Sequence, residues 1–237
     1  MIPLSDLGVF GAALVLGVTH GLEPDHAAGI SALTSEADSR SHAAFVGASF
    51  AVGHALIVVA WVALLSALGA GASAAPDAFG AVGSTLVGVL LGAIALLLGV
   101  TGVRRLRGLP PEPRSADAPD PTGRVLAAVH SRLSHHSHET RTDYLQTGLV
   151  GSLFALSPPV SMLAFVSAVV PTAGIGGASG AVAAYALALT VTLALVGGGV
   201  GTLVSFTRDR GDRVHAAFEI VASAAIVWVA ARMLLGA

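Results

Sequence analysis

Residues 20–33 read HGLEPDHAAGISAL and place four titratable groups, His20, Glu23, Asp25 and His26, together with Pro24, inside an apolar run. The run begins with LGVFGAALVLGVT at residues 7–19 and continues through AAGISALT at 27–34. As one straight helix, residues 7–34 would be about 42 Å long, against about 30 Å for the hydrocarbon core of a bilayer. Such a helix is tilted, overhanging or broken. Pro24 points to a break, because it cannot donate to the carbonyl of His20 and disfavours helical geometry at Glu23. On an unbroken helix, Asp25 would point about 140° and His26 about 120° away from His20. Unwinding at Pro24 lets these closely spaced groups converge. A carbonyl freed there is costly in lipid, but can serve as a cation ligand in a protein-lined cavity. Imidazole and carboxylate together suit a divalent transition metal, and an ionisable side chain inside a membrane span marks a functional site.

The whole chain has the composition of a membrane protein. Its 237 residues are 54% hydrophobic and 11% charged, with mean hydropathy +0.80. An ordinary soluble domain carries about 25% charged residues. Apolar stretches of span length recur throughout, so the expected fold class is all-α, a polytopic membrane protein. The weaker alternating pattern of a transmembrane barrel is absent. The absence of cysteine removes disulfides, thiolate metal ligands and thiol redox chemistry. The opening residues, MIPLSDLGVF, carry no basic group ahead of the apolar run and do not read as a signal peptide.

Six spans are expected, at about 7–34, 43–69, 79–103, 145–170, 180–206 and 214–235. The intervening stretch 104–143 is rich in Arg, Pro, Ser and His and reads as a flexible loop. The chain thus divides into a first three-helix repeat (1–103), the His/Arg-rich loop (104–143) and a second three-helix repeat (144–237). All twelve basic residues are arginine, and eleven fall in or beside the first, third and fifth loops; only Arg232 lies within the last span. The expected topology has these loops in the cytoplasm, including 104–143, and both termini outside the cytoplasm, in a multi-pass protein of the plasma membrane. With three spans per half, the halves must be inverted relative to each other. Gly17 and Gly151, Leu22 and Leu156, and Pro24 and Pro158 are each 134 positions apart. Each half therefore begins with a proline-broken helix.

Other polar residues stand out against this background. His54 is the one titratable group in the long apolar stretch FAVGHALIVV. Alone it reads as a core histidine bonded to a backbone carbonyl; beside an ionisable cluster in the preceding span it joins the candidate site. His215 and Glu219, one turn apart in the last span, read equally as helix-start residues near the cytoplasmic surface or as part of a transport path. In the loop, His130, His135, His136 and His138 read either as a metal-capturing tract or as a polar linker. Glycines such as Gly88, Gly92 and Gly197–Gly199 read as close helix packing.

His20-x4-Asp25-His26, followed by Gly53-His54, resembles the nickel/cobalt permease family, whose hallmark is H-x4-D-H in one helix and G-H in the next. The string HGLEPDHAAGISAL is most similar to the shorter, urease-accessory (UreH-like) branch. The strong likeness covers roughly residues 15–60. It implies that His20, Asp25, His26 and His54 recognise the metal, with Glu23 at a position where larger members carry an aspartate. Those members have an acidic, threonine-rich signature in their second half; here that region reads GSLFALSPPVSML and offers Ser157 and Ser161 in place of charged ligands.

The expected function is secondary permeation of Ni²⁺ or Co²⁺ through a His/Asp site, the ion being cargo and no prosthetic group being implied. Two alternatives stand beside it: a non-transporting accessory protein that delivers metal to urease- or hydrogenase-type maturation, and a transporter of another small solute. The expected partners are the lipid bilayer, the metal ion and a cytoplasmic metallochaperone or maturation protein, with no nucleic acid. An enzyme is not expected, since no HExxH or second acid-rich motif is present.

Overall fold

The computed structural model describes residues 4–34, 37, 39–67, 77–109, 141–155 and 160–235. Among them the chain forms α-helices and no strand: α1 (Leu4–Gly21), α2 (Pro24–Leu33), α3 (Arg40–Ala67), α4 (Asp77–Leu106), α5 (Arg141–Phe154), α6 (Val160–Asp209) and α7 (Asp212–Leu235). Ser157, Pro158 and the loop histidines His130, His135, His136 and His138 lie outside the described residues.

The first apolar run is broken where Pro24 requires it. Leu22 donates to the carbonyls of Val18 and Thr19, and Glu23 donates to that of His20, closing α1 with a tight turn. Glu23 is extended (φ −59°, ψ 143°), as the residue before a proline must be, and Pro24 opens α2 at a position where a missing N–H costs nothing. The His20 carbonyl, which the break was expected to free, therefore accepts a bond from Glu23 at 3.1 Å.

Among the described residues, four helices are long and apolar enough to cross a membrane: α3, α4, α6 and α7. As a straight rod the 50 residues of α6 would reach about 75 Å, more than twice the hydrocarbon thickness. It is interrupted at Gly174 (φ 66°, ψ −174°), a backbone conformation open only to glycine, three residues after Pro171. The outside of the bundle carries Val15, Phe45, Leu56, Leu96, Leu195 and Trp228, each more than half exposed. An apolar surface this extensive does not face water. The protein is a multi-pass membrane protein.

Small residues set the packing directions. Against the 175–209 segment of α6, Phe10, Gly17 and Gly21 of α1 meet Gly180, Tyr185 and Leu189 in rising order, so the two run parallel. Phe45 and Phe50 of α3 meet Tyr144 and Gly151 of α5, again in parallel. Gly47 of α3 meets Leu193 while Ala43 meets Gly197, so α3 and α6 are antiparallel. Gly88, Gly99 and Gly102 of α4 meet Leu234, Ser223 and Ile220, which makes α4 and α7 antiparallel. It follows that α1 and α5 run in opposite senses. The largest fully buried side chains are Tyr185, Phe50, Ile30, Leu91, Met162 and Leu189.

Candidate metal centre

The turn at Leu22–Glu23 sets His20, at the end of α1, beside His26, in the first turns of α2. His54 comes from the middle of α3, 14 residues from its start at Arg40, or about 21 Å along the axis. The glycine before it has a local reason. A side chain at Gly53 would collide with the Gly148 carbonyl of α5, so only glycine lets α3 and α5 approach this closely.

The three imidazoles meet. His20 Nε2 and His54 Nε2 are 3.2 Å apart. The ring centre of His26 lies 4.6 Å from that of His20 and 4.7 Å from that of His54. One nitrogen from each of the three falls within 4.8 Å of the others. Two imidazole nitrogens bound about 2.0–2.1 Å from one tetrahedral ion sit about 3.3 Å apart, so the trio has the dimensions of a slightly expanded coordination shell.

The acids lie behind two of the rings. Asp25 Oδ1 is 3.0 Å from His26 Nδ1, and Glu23 Oε2 is 3.0 Å from His20 Nδ1. A carboxylate only accepts, so Nδ1 of each ring carries a hydrogen, and in the neutral imidazole Nε2 keeps its lone pair. Nε2 of His26 is buried with no partner among the described residues. Nδ1 of His54 is also buried without a regular hydrogen bond, although the backbone of Gly151 approaches the ring. Glu23, Asp25 and His26 form a second group of potential ligand atoms that shares His26 with the first.

Burial is graded across the cluster. His26 and His54 are almost inaccessible, at 1% and 2% exposed, whereas the Glu23 side chain is half exposed and that of Asp25 22% exposed. The carboxylates thus occupy the accessible side and the imidazoles the floor. Tyr185 stacks on His20 at 6.0 Å, Phe50 stacks on His54 at 6.4 Å, and Phe154 lies 6.3 Å from His26. These walls come from α6, α3 and α5 and restrict the ring rotations. The sequence reading missed all three; the only signal for them was an aromatic residue inside an apolar span, which usually means core. Ser161 is exposed in α6.

His215 and Glu219 belong to a different cluster. His215 Nδ1 is 2.9 Å from Thr207 Oγ1, and Nε2 is 3.3 Å from Glu219 Oε1. Arg105 of α4 meets Glu219 through Nε and Nη2, each at 3.3 Å.

The family model for NicO, described as a high-affinity nickel-transport protein, matches residues 7–157, well over half of the chain. The chain belongs to the NicO family. It is therefore a member of a nickel-transport family, and not an enzyme. The match contains the broken first helix, all three converging histidines and both acids. Comparison with curated proteins and with solved structures gives no match.

Proposed function

We propose that this NicO member is a secondary permease carrying Ni²⁺ or Co²⁺ across the plasma membrane through a site built on His20, His26 and His54. The observation that carries this is the convergence of three imidazoles halfway along a membrane-spanning helix, with the buried Nε2 of His26 left without a partner among the described residues. An unpaired polar atom in such a place is costly unless a ligand takes it. Imidazole donors favour borderline transition ions over Mg²⁺ or Ca²⁺.

In this mechanism Asp25 and Glu23 act through the histidines. Each holds an Nδ1–H, fixes the tautomer and raises the basicity of the Nε2 that faces the ion. Their charge also attracts the cation from the accessible side. His54 Nε2 must release its hydrogen to bind, and the proton can move to Nδ1, beside the Gly151 backbone. Three protein ligands leave positions open for water or for the next donor, which an ion that must also depart requires. Protons compete for the same nitrogens, so acid weakens binding.

We further propose six spans in two inverted three-helix repeats: α1 with α2, α3, α4, then α5 with 160–173, 175–209 and α7. The opposite senses of α1 and α5 support this. So does a matched pair of contacts: Gly17 meets Tyr185, and Gly151, 134 positions on, meets Phe50, 135 positions before Tyr185. The arginine distribution supports cytoplasmic placement of loop 104–143 and extracytoplasmic termini.

The test is nickel flux into proteoliposomes containing only this chain. Saturable flux, competed by Co²⁺ but not by Mg²⁺, is the expected result. Tight nickel binding without flux would replace the permease with a metal-delivery partner. Flux of an unrelated solute with no nickel binding would overturn both.

A further inference from the structure

On the permease and inverted-repeat reading given above, we propose that Phe50 and Phe154 form a dry gate on the cytoplasmic side of the three histidines, which an ion passes only when the two rings part. The rings meet edge to face, with centres 5.0 Å apart and planes at 72°. Phe50 is completely buried and Phe154 is 6% exposed. Both reach the imidazoles: Phe50 lies 6.1 Å from His26 and 6.4 Å from His54, and Phe154 lies 6.3 Å from His26. Phe50 stands one turn before His54 in α3, about 6 Å nearer the Arg40 end, which the proposed topology puts in the cytoplasm.

The repeat sets this pair against a different one. Phe154 is 134 positions after His20, and Phe50 is 135 positions before Tyr185. The counterpart of Phe50–Phe154 is therefore Tyr185–His20, whose rings stack at 6.0 Å. An inversion places the two pairs on opposite sides of the site along the membrane normal. The sides differ in chemistry. His20 Nδ1 meets Glu23, whose side chain is half exposed, so that side is open to a hydrated ion. The side chains of Phe50 and Phe154 offer no donor or acceptor, and an apolar constriction of this kind stops a hydrated ion by dewetting. The barrier is short. Between His54 and His42, 12 residues or about 18 Å apart on α3, the buried side chains are Phe50, Ala51, Val46 and Ala43, and of these only Phe50 is bulky. At the far end His42 is 8% exposed, and its Nδ1 is buried without a hydrogen-bond partner among the described residues. The gate also touches the helix that carries a ligand. Gly29, one turn after His26 in α2, lies against the pair: a Cβ there would stand 3.0 Å from the Phe154 ring and 3.8 Å from that of Phe50. A shift of α2 therefore moves the surface on which both rings rest.

Potassium release from proteoliposomes containing the full chain tests this, because it reads an open path without requiring nickel transport. The parent should retain potassium. Phe154→Ala and Phe50→Ala should each raise release at least about 10-fold while the chain still binds nickel. Phe154→Leu, which keeps an apolar bulk, should stay sealed, and so should Tyr185→Ala, which truncates the other pair. Parental release in both alanine variants would overturn the proposal. Equal release from Tyr185→Ala would do the same, since the leak would then reflect a general loosening. A bridged pair covers alanine variants that do not insert. Phe50→Cys with Phe154→Cys, in a chain with no other cysteine, is joined by a reducible bifunctional thiol reagent. The bridged chain should bind nickel without carrying it and recover flux on reduction; flux unchanged by the bridge would overturn the gate. A parent that binds nickel but carries none fails the permease reading instead, and the potassium assay still decides the pair.

Discussion

Two polar clusters are buried in this bundle, and they differ in where their positive charge comes from. Around Glu219 the cation is built in: Arg105 bridges the carboxylate and ties α4 to α7, with His215 and Thr207 completing the set. Around His20, His26 and His54 none is built in. Glu23 and Asp25 form ion pairs only with histidines among the described residues. A buried charge needs a counter-charge or a metal. The first cluster is electrostatically closed, whereas the second has two carboxylates, three imidazoles and an unpartnered nitrogen, and so is open to an external cation. Both combine histidine with acid inside apolar spans, and the pairing is what separates a structural lock from the site proposed here to bind the metal.

The largest effect should come from removing a floor ligand. His26→Ala and His54→Ala are each expected to cut nickel flux at least 100-fold in proteoliposomes while the protein still inserts. Parental flux in either would move the site elsewhere in the chain. Asp25→Asn should do less, because Asp25 acts through His26 Nδ1; the loss of such a partner costs about 10- to 100-fold in metal affinity. Nickel titration calorimetry checks it, and a loss as complete as that of His26→Ala would make Asp25 a direct ligand.

Glu219→Gln inverts the pattern: stability falls and binding survives. Leaving Arg105 without its partner is expected to cost about 1–3 kcal/mol, below the figure for a fully buried pair because the Arg105 side chain is 26% exposed. The unfolding midpoint in detergent should drop, and nickel affinity of the folded fraction should stay within about twofold of the parent. A 10-fold loss of affinity would join the two clusters into one functional unit. The smallest effect is expected from replacing His135, His136 and His138 together, since short histidine tracts bind metal weakly and without selectivity. Nickel flux should change less than about threefold, and abolished flux would place the decisive ligands in the loop.

Much of this was legible in the one-dimensional pattern, for physical reasons. Pro24 constrains its own residue and the one before it, so the break between α1 and α2 and the extended Glu23 followed from local stereochemistry. The family followed from His20-x4-Asp25-His26 and Gly53-His54 for a similar reason, since donor types and their spacing are written along the chain. The division of α6 was legible as well: the spans expected at 145–170 and 180–206 leave 171–179 between them, and the helix is interrupted there at Gly174, three residues after Pro171. The partnership of His215 and Glu219 with Arg105 was hidden altogether, because Arg105 lies 114 residues from Glu219 and reads as an ordinary interfacial arginine.

By itself the sequence determined that the protein enters a membrane, that its first apolar run breaks at Pro24, and that the donors near the break are imidazoles and carboxylates. Those outcomes depend on transfer free energies and on neighbouring residues, which composition and order fix. Only the tertiary structure decided that His54 meets His20 at 3.2 Å, that Asp25 and Glu23 face Nδ1 and leave Nε2 of His26 open, and that Tyr185, Phe50 and Phe154 wall the rings. These depend on how closely separate helices approach. That approach is set by glycines such as Gly53 and Gly17 meeting backbone from segments about 95 and 168 residues away, a relation that no local pattern encodes.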